Sequence, residues 1–172
     1  ARFDTILKEI RLLTRQNETS IIDIGCGYGA FLEFLSESCA DDIRSYYGYD
    51  ISHEVIKFCK EQYSKEAAFY IGSIPSFTAE FIIMSGTYNF FPSTDYNSWN
   101  LYFYRSLETL WSKATRAMIF NLQTSDQEKI TDGGIVYASK KKIETYCKAN
   151  FGNVKAVINP IISKDVTFVV KK

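Results

Sequence analysis

The stretch that decides the fold runs from Ile21 to Leu35 and reads IIDIGCGYGAFLEFL. From Thr19 onward a short, β-branched apolar run leads to Asp23 and Ile24, the pattern of a buried strand. Gly25, Gly27 and Gly29 follow at alternate positions, and Phe31, Leu32 and Leu35 then fall on one face of a helix. Strand, glycine turn and helix in that order bend the backbone sharply where a ligand can come close, since glycine has no Cβ to hold it off. Amides at the start of the helix lack partners within it and can face that ligand.

The pattern continues on either side. Residues 4–16 place Ile6, Leu7, Ile10 and Leu13 on one helical face, and the helix after the glycine turn is expected to run to Cys39. IRSYYGYD (43–50) reads as a second strand, followed by a helix capped by Ser52 that runs to Tyr63, with Glu54 in its first turn. Residues 67–72 and 80–86 are the third and fourth strands. Trp99, Phe103, Leu107 and Leu110 make 97–111 a helix, and 115–123 is a fifth strand. Residues 124–136, with Gly133 and Gly134, read as a polar loop. Ser139 opens a helix to Ala149 that Gly152 can close. Residues 153–160 and 165–172 are two last strands, near enough to pair antiparallel. Such alternation predicts an α/β fold: a doubly wound, mostly parallel sheet with helices on both faces. Ligands of such sheets bind beyond the carboxyl ends of the strands, where the strand order reverses, and the glycine turn leaves the first strand at such a place.

The 172 residues fit one domain, 1–172, and a start at Ala1 rather than Met predicts a trimmed or incomplete N-terminus. Hydrophobic residues are 46% and charged residues 23%, as in globular proteins. Twenty Lys+Arg balance twenty Asp+Glu, so no global field draws the chain to nucleic acid or an anionic membrane. There is no apolar run of about 20 residues and no leader pattern, and a cytoplasmic protein is expected. Cys26, Cys39, Cys59 and Cys147 are widely spaced and His53 is the single histidine, so reduced thiols are expected and a structural metal is not.

The glycine turn alone admits two ligands. Gly25-Cys26-Gly27-Tyr28-Gly29-Ala30 satisfies the dinucleotide pattern GxGxxA, and Asp50 at the end of the second strand suits two ribose hydroxyls in either case. Asp23 separates the two. A carboxylate ending a buried strand is costly unless paired. A pyrophosphate would add negative charge beside it, whereas a nucleoside with an amino-acid tail would bring a cationic amine. Asp23 capping the amides of its own turn is the other reading.

DIGCGYG (23–29) resembles the D/E-x-G-x-G-x-G signature of the class I S-adenosylmethionine-dependent methyltransferases, and YGYDIS (47–52) is similar to their ribose-binding segment. SGTYN (85–89), GIVYASKKKIETYC (134–147) and DVTFVVKK (165–172) resemble, in order, segments of a small-molecule subgroup with S-G-x-x-N after the fourth strand. The resemblance runs from Thr19 to the end. It implies a Rossmann-like sheet of seven strands whose C-terminal strand is antiparallel, with S-adenosylmethionine as cofactor and S-adenosylhomocysteine as product. It also implies cofactor contacts at Asp23, Gly25, Cys26, Gly27 and Gly29, a ribose held by Asp50, and adenine packed on Ile51. Where the family often has an Asp near the adenine amine, this chain has Gly72, Ser73 and Ile74, and Ser73 can accept one hydrogen bond. Ile74 and Ser85 are likewise expected to touch the cofactor, and Tyr88 and Asn89 fall where the subgroup lines the methyl-transfer site.

The cofactor would carry the chemistry, so the protein has mainly to align an acceptor and exclude water. Tyr88 is expected to position the acceptor or sit beside the sulfonium, with core packing as its other reading. Asn89 is expected to touch substrate or cofactor, or else to cap a loop. Phe90, Phe91, Tyr96 and Trp99 could wall the substrate, although Trp99 shares a core stripe with Phe103 and Leu107, and Tyr137 is a lid candidate. His53 could be a base or an exposed first-turn residue. Lys140, Lys141 and Lys142 could attract an anionic substrate or form a solvated helix face. Cys26 reads as a small packing residue. A small-molecule methyltransferase is thus the leading expectation, against an NAD-dependent oxidoreductase or a non-catalytic cofactor-binding module.

Overall fold

The computed structural model describes residues 1–14, 19–38, 40, 43–63 and 65–172. Arg15, Gln16 and Cys39, placed at the ends of two expected helices, lie outside the described residues. Helix α1 is Arg2–Leu13 and strand β1 is Thr19–Ile24. After the glycine turn come α2 (Ala30–Glu37), β2 (Ile43–Asp50), α3 (His53–Tyr63), β3 (Ala68–Ile71) and β4 (Ala79–Met84). The second half holds α4 (Tyr96–Trp111), β5 (Ala114–Gln123), the two-residue strands β6 (Lys129–Ile130) and β7 (Val136–Tyr137), α5 (Lys140–Asn150), β8 (Val154–Ile158) and β9 (Asp165–Lys171).

Seven strands pair in the order β3-β2-β1-β4-β5-β9-β8, parallel except for β9, which runs against both β5 and β8. The chain steps from β1 out to β3, then returns to place β4 on the other side of β1. The strand order therefore reverses between β1 and β4, where the glycine turn emerges.

Two hydrophobic layers hold the sheet. On one face Ile6 and Ile10 of α1, Phe31 and Leu35 of α2, and Ile56 of α3 pack on Ile21, Ile83 and Ile119. On the other, Trp99, Phe103 and Leu107 of α4 and Ile143 of α5 pack on Ile22, Ile82 and Phe120. The period-2 alternation of the strands sends successive side chains to opposite layers. Local chemistry sets the helix ends: Asp95 accepts from the N–H groups of Asn97 and Ser98 at 3.0 and 3.3 Å, and Gly152, at φ 100°, donates its N–H to Cys147 O at 3.1 Å beyond α5.

Residues 124–136 depart from the expected polar loop. β6 and β7 form a hairpin there, and the segment after β4 joins it: Val136 N–H donates to Asn89 O at 3.0 Å and Phe91 N–H to Gly134 O at 2.9 Å. Strands of two residues carry no readable period, so only this pairing reveals them. The hairpin and residues 89–91 form a small cap over the carboxyl ends of β4 and β5.

Candidate active site

A cleft of about 360 Å³ opens at the switch point. Ile24 of β1 and Gly25 beyond it, Asp50 of β2 and Ile51 beyond it, and Gly72 and Ser73 beyond β3 form one side. Ser85 to Tyr88 beyond β4 and Tyr102 of α4 form the other. A second cavity of about 400 Å³ shares Ser73, Tyr88 and Tyr102 with it and extends along α4 past Ile74 and Leu101 to Arg105.

The glycine turn is held from beneath. Gly25 and Cys26 N–H donate to Tyr49 O at 2.7 and 3.0 Å, Gly27 N–H donates to Asp50 Oδ2 at 3.1 Å, and Gly29 N–H donates to Cys26 O at 3.1 Å. These four turn amides are thus committed within the protein, ahead of the first residues of α2. The contacts between β1 and β2 simply continue into the turn. Gly25, at φ 72°, is required for a second reason: a Cβ there would lie 2.7 Å from Thr87 Cγ2. Thr87 in turn donates to Ile24 O at 2.6 Å, which joins the first and fourth strand ends.

Asp23 is 2% exposed and accepts from the Tyr46 hydroxyl at 2.5 Å, and it is not part of the cleft wall. Its Oδ2 meets a tyrosine of β2, while Oδ1 is buried and, among the described residues, has no hydrogen-bond partner. Burial pushes its pKa up to about 7, against the lowering hydrogen bond from Tyr46, and Asp50 raises it further. Cys26 is buried with its thiol pushed up by burial, which agrees with a packing role. Gly27 and Gly29 shape the turn without lining the cleft.

Asp50 lies in the wall, where Oδ1 accepts from Ser52 N–H at 2.9 Å while Oδ2 holds Gly27. Ile51 is 76% exposed at the rim, an apolar edge that a flat ring could cover. Ser73 lies in the cleft wall and Ile74 in the adjoining cavity. Ser85 Oγ is buried and, among the described residues, has no hydrogen-bond partner. An orphaned hydroxyl in a cleft wall, a backbone without side chain at Gly25 and a carboxylate at Asp50 together fit a nucleoside with a polar tail.

Tyr88 combines its two readings. Its ring packs edge-on against Phe103 at 5.1 Å, and it also lines both cavities. Burial raises its hydroxyl well above the usual phenol range, so it is a donor and not a base at neutral pH. Asn89 instead straps the site: its Oδ1 accepts from Gln123 N–H at 3.0 Å. Trp99 is buried and donates to Tyr88 O at 3.0 Å, Tyr96 packs on it, and Phe90 and Phe91 border a separate pocket under the hairpin. The expected aromatic wall is therefore made by Tyr88 and Tyr102. Tyr102 lies on the stripe Ser98–Tyr102–Arg105–Thr109 beside the core stripe of α4, and that spacing was its signal in the sequence. His53 is exposed at the start of α3 and lines neither of these two cavities. Lys142 is paired with Glu128.

Behind the cleft, Gly86 N–H donates to Asn121 Oδ1 at 2.7 Å, Asn121 Nδ2 donates to Asp165 at 2.8 Å, and Arg2 pairs with Asp165 at 2.5 Å. This buried chain fixes the backbone after β4 to β5, β9 and α1. Its members are too far apart in sequence for any local pattern to join them.

Among the described residues no helix is long and apolar enough to cross a membrane. Comparison with known proteins agrees with the geometry. Residues 21–119 match a family profile described as a methyltransferase domain. Rv1506c of Mycobacterium tuberculosis, provisionally named a methyltransferase, is 26% identical over 168 residues, 95% of this chain and 99% of that protein. The fold is similar to magnesium protoporphyrin IX methyltransferase from Synechocystis PCC 6803 with bound S-adenosylhomocysteine (TM-score 0.71, 13% identity, 99% of this chain and 82% of that one). It is also similar to the DhpI–S-adenosylhomocysteine complex (TM-score 0.65, 13% identity, 96% and 82%). The profile covers more than half of the chain, and its match spans the glycine turn, Asp50 and the segment after β4: the chain belongs to the methyltransferase domain family, of the class I S-adenosylmethionine-dependent type.

Proposed function

We propose that this chain, acting as one domain, transfers the methyl group of S-adenosylmethionine to a small-molecule acceptor, a sugar or another metabolite. The observation that carries the reading is the cleft at the switch point, where Asp50, side-chain-free Gly25 and the unpartnered Ser85 hydroxyl meet. The cofactor, when bound, supplies a sulfonium methyl that is already electrophilic. The chain's own residues do the rest. Asp50 accepts from the ribose hydroxyls, Ile51 and Ile74 offer apolar contact to the base, and Ser73 accepts from it. Gly25 lets the tail lie against the backbone, and Ser85 bonds its polar end. Tyr88 presents a protonated hydroxyl to the reacting region. Tyr102, 50% exposed on α4, closes over the cleft mouth. The cap formed by residues 89–91 and the hairpin bounds the acceptor side, which favours a compact acceptor over a polymer lying across the surface.

Calorimetric titration with S-adenosylhomocysteine, with NADH as control, tests the reading. Binding of the first alone is expected, weakened in Tyr102→Ala. Binding of neither, or of NADH alone, would reject it. Turnover in a screen of small acceptors would separate an enzyme from a binding module.

A further inference from the structure

We propose that the acceptor carries a phosphate-class anion, bound in a basic cavity at the carboxyl ends of β5 and β8. The proposal rests on the small-molecule methyltransferase reading above and names the chemistry of its acceptor. The cavity measures about 750 Å³, room for a diphosphate and part of what it is attached to. Four lysines line it, Lys129, Lys140, Lys141 and Lys164, against one carboxylate, Asp126.

Lys155 is ion-paired with Glu9 at 2.7 Å and Lys142, the neighbour of Lys141, with Glu128. The cavity lysines have no such pair. Among the described residues no carboxylate lies within ion-pair distance of any of the four, and Lys129 has only the Tyr137 ring at 5.8 Å. The placement is also unfavourable without a ligand. Lys140 and Lys141 occupy the first turn of α5, at the positive end of its dipole. The helix dipole and the uncompensated ammonium groups therefore sum to one positive field in a chain whose net charge is zero. An anion relieves it.

Lysine rather than arginine lines the site, and its ammonium acts as a point charge that can meet phosphate oxygens from several directions. The floor is rigid: Thr124 N–H donates to Lys164 O at 2.7 Å and Ser125 N–H to Ala138 O at 3.0 Å. The strands that border the cavity stand one to three strand spacings from β4, about 5–15 Å along the sheet. An acceptor of that length would reach the cleft with its reacting atom while its anion rests on the lysines.

The test uses the whole chain saturated with S-adenosylhomocysteine and inorganic pyrophosphate as the probe, with calorimetry at low salt. Pyrophosphate should bind with a dissociation constant of about 1 mM or tighter. Lys140→Ala/Lys141→Ala, and separately Lys164→Ala, should weaken it about tenfold or more and about fivefold, with the affinity for S-adenosylhomocysteine unchanged. Lys148→Ala, at the far end of α5, should leave pyrophosphate binding as it is. No binding up to about 10 mM, equal weakening by Lys148→Ala, or insensitivity to the cavity variants would overturn the proposal. Failure of the methyltransferase reading shows separately, as loss of S-adenosylhomocysteine binding to the unaltered chain.

Discussion

Replacing Asp23 with asparagine isolates the cost of keeping an acidic residue beneath the glycine turn. Asp23 is 2% exposed, one of its oxygens accepts from Tyr46 at 2.5 Å, and the other has no partner among the described residues. Burial lifts its pKa from 3.8 to about 7. A folded-state pKa above the unfolded value means that the native state holds a proton which the unfolded chain has already released. The stabilisation is complete below about pH 4 and is lost as pH rises towards 7. Each pH unit inside that window is worth about 1.4 kcal/mol, so the full span has a ceiling of about 4 kcal/mol. Asparagine does not titrate. Its different hydrogen bonding shifts stability by a constant, so the informative quantity is the change with pH, not the offset. Relative to the unaltered protein, Asp23→Asn should gain about 2–3 kcal/mol between pH 5 and pH 8, or about 5–10 °C in melting temperature. Urea unfolding of both proteins across that range measures it. Parallel stability curves would show that Asp23 is ionised throughout, and the reading of it as a neutral structural group would then be wrong.

Two further substitutions bear on the cofactor side. Asp50→Ala removes the acceptor for Gly27 and Ser52 and, on the proposed reading, for the ribose, and should weaken S-adenosylhomocysteine by about 1–3 kcal/mol, about 5- to 150-fold; an unchanged affinity in titration would take Asp50 out of the site. Gly25→Ala sets a Cβ 2.7 Å from Thr87 Cγ2 at a positive φ, whereas a Cβ at Gly27 meets nothing within 4 Å. Thermal melting should therefore show Gly25→Ala losing about 2–4 kcal/mol and Gly27→Ala about 1, and equal losses would refute the contact with Thr87.

Much of the architecture was legible because it rests on local patterns. The second strand was read at 43–50 and forms Ile43–Asp50, and the stripe Trp99–Phe103–Leu107–Leu110 is the buried face of α4. The two C-terminal strands do pair antiparallel. The hairpin at 129–137 was not legible, since its strands are too short for a period and exist through pairing with residues 89–91. The lysines of 140–142 show the same limit: adjacent in sequence, they separate in space into one ion pair with Glu128 and two members of an open cavity.

The sequence by itself determined the order of strands and helices, the glycine turn, and the acidic residue that ends β2, because spacing and backbone freedom act over a few residues. Only the tertiary structure decided what each group faces. It paired Asp23 with Tyr46, tied the turn amides to Tyr49 and Asp50, and put Tyr102 of α4 in the cleft wall. It also joined Arg2, Asp165 and Asn121 behind Gly86, and gathered Lys129, Lys141 and Lys164 around one cavity. Those contacts link residues from different elements, and their energies depend on burial and distance, which a linear spacing does not contain.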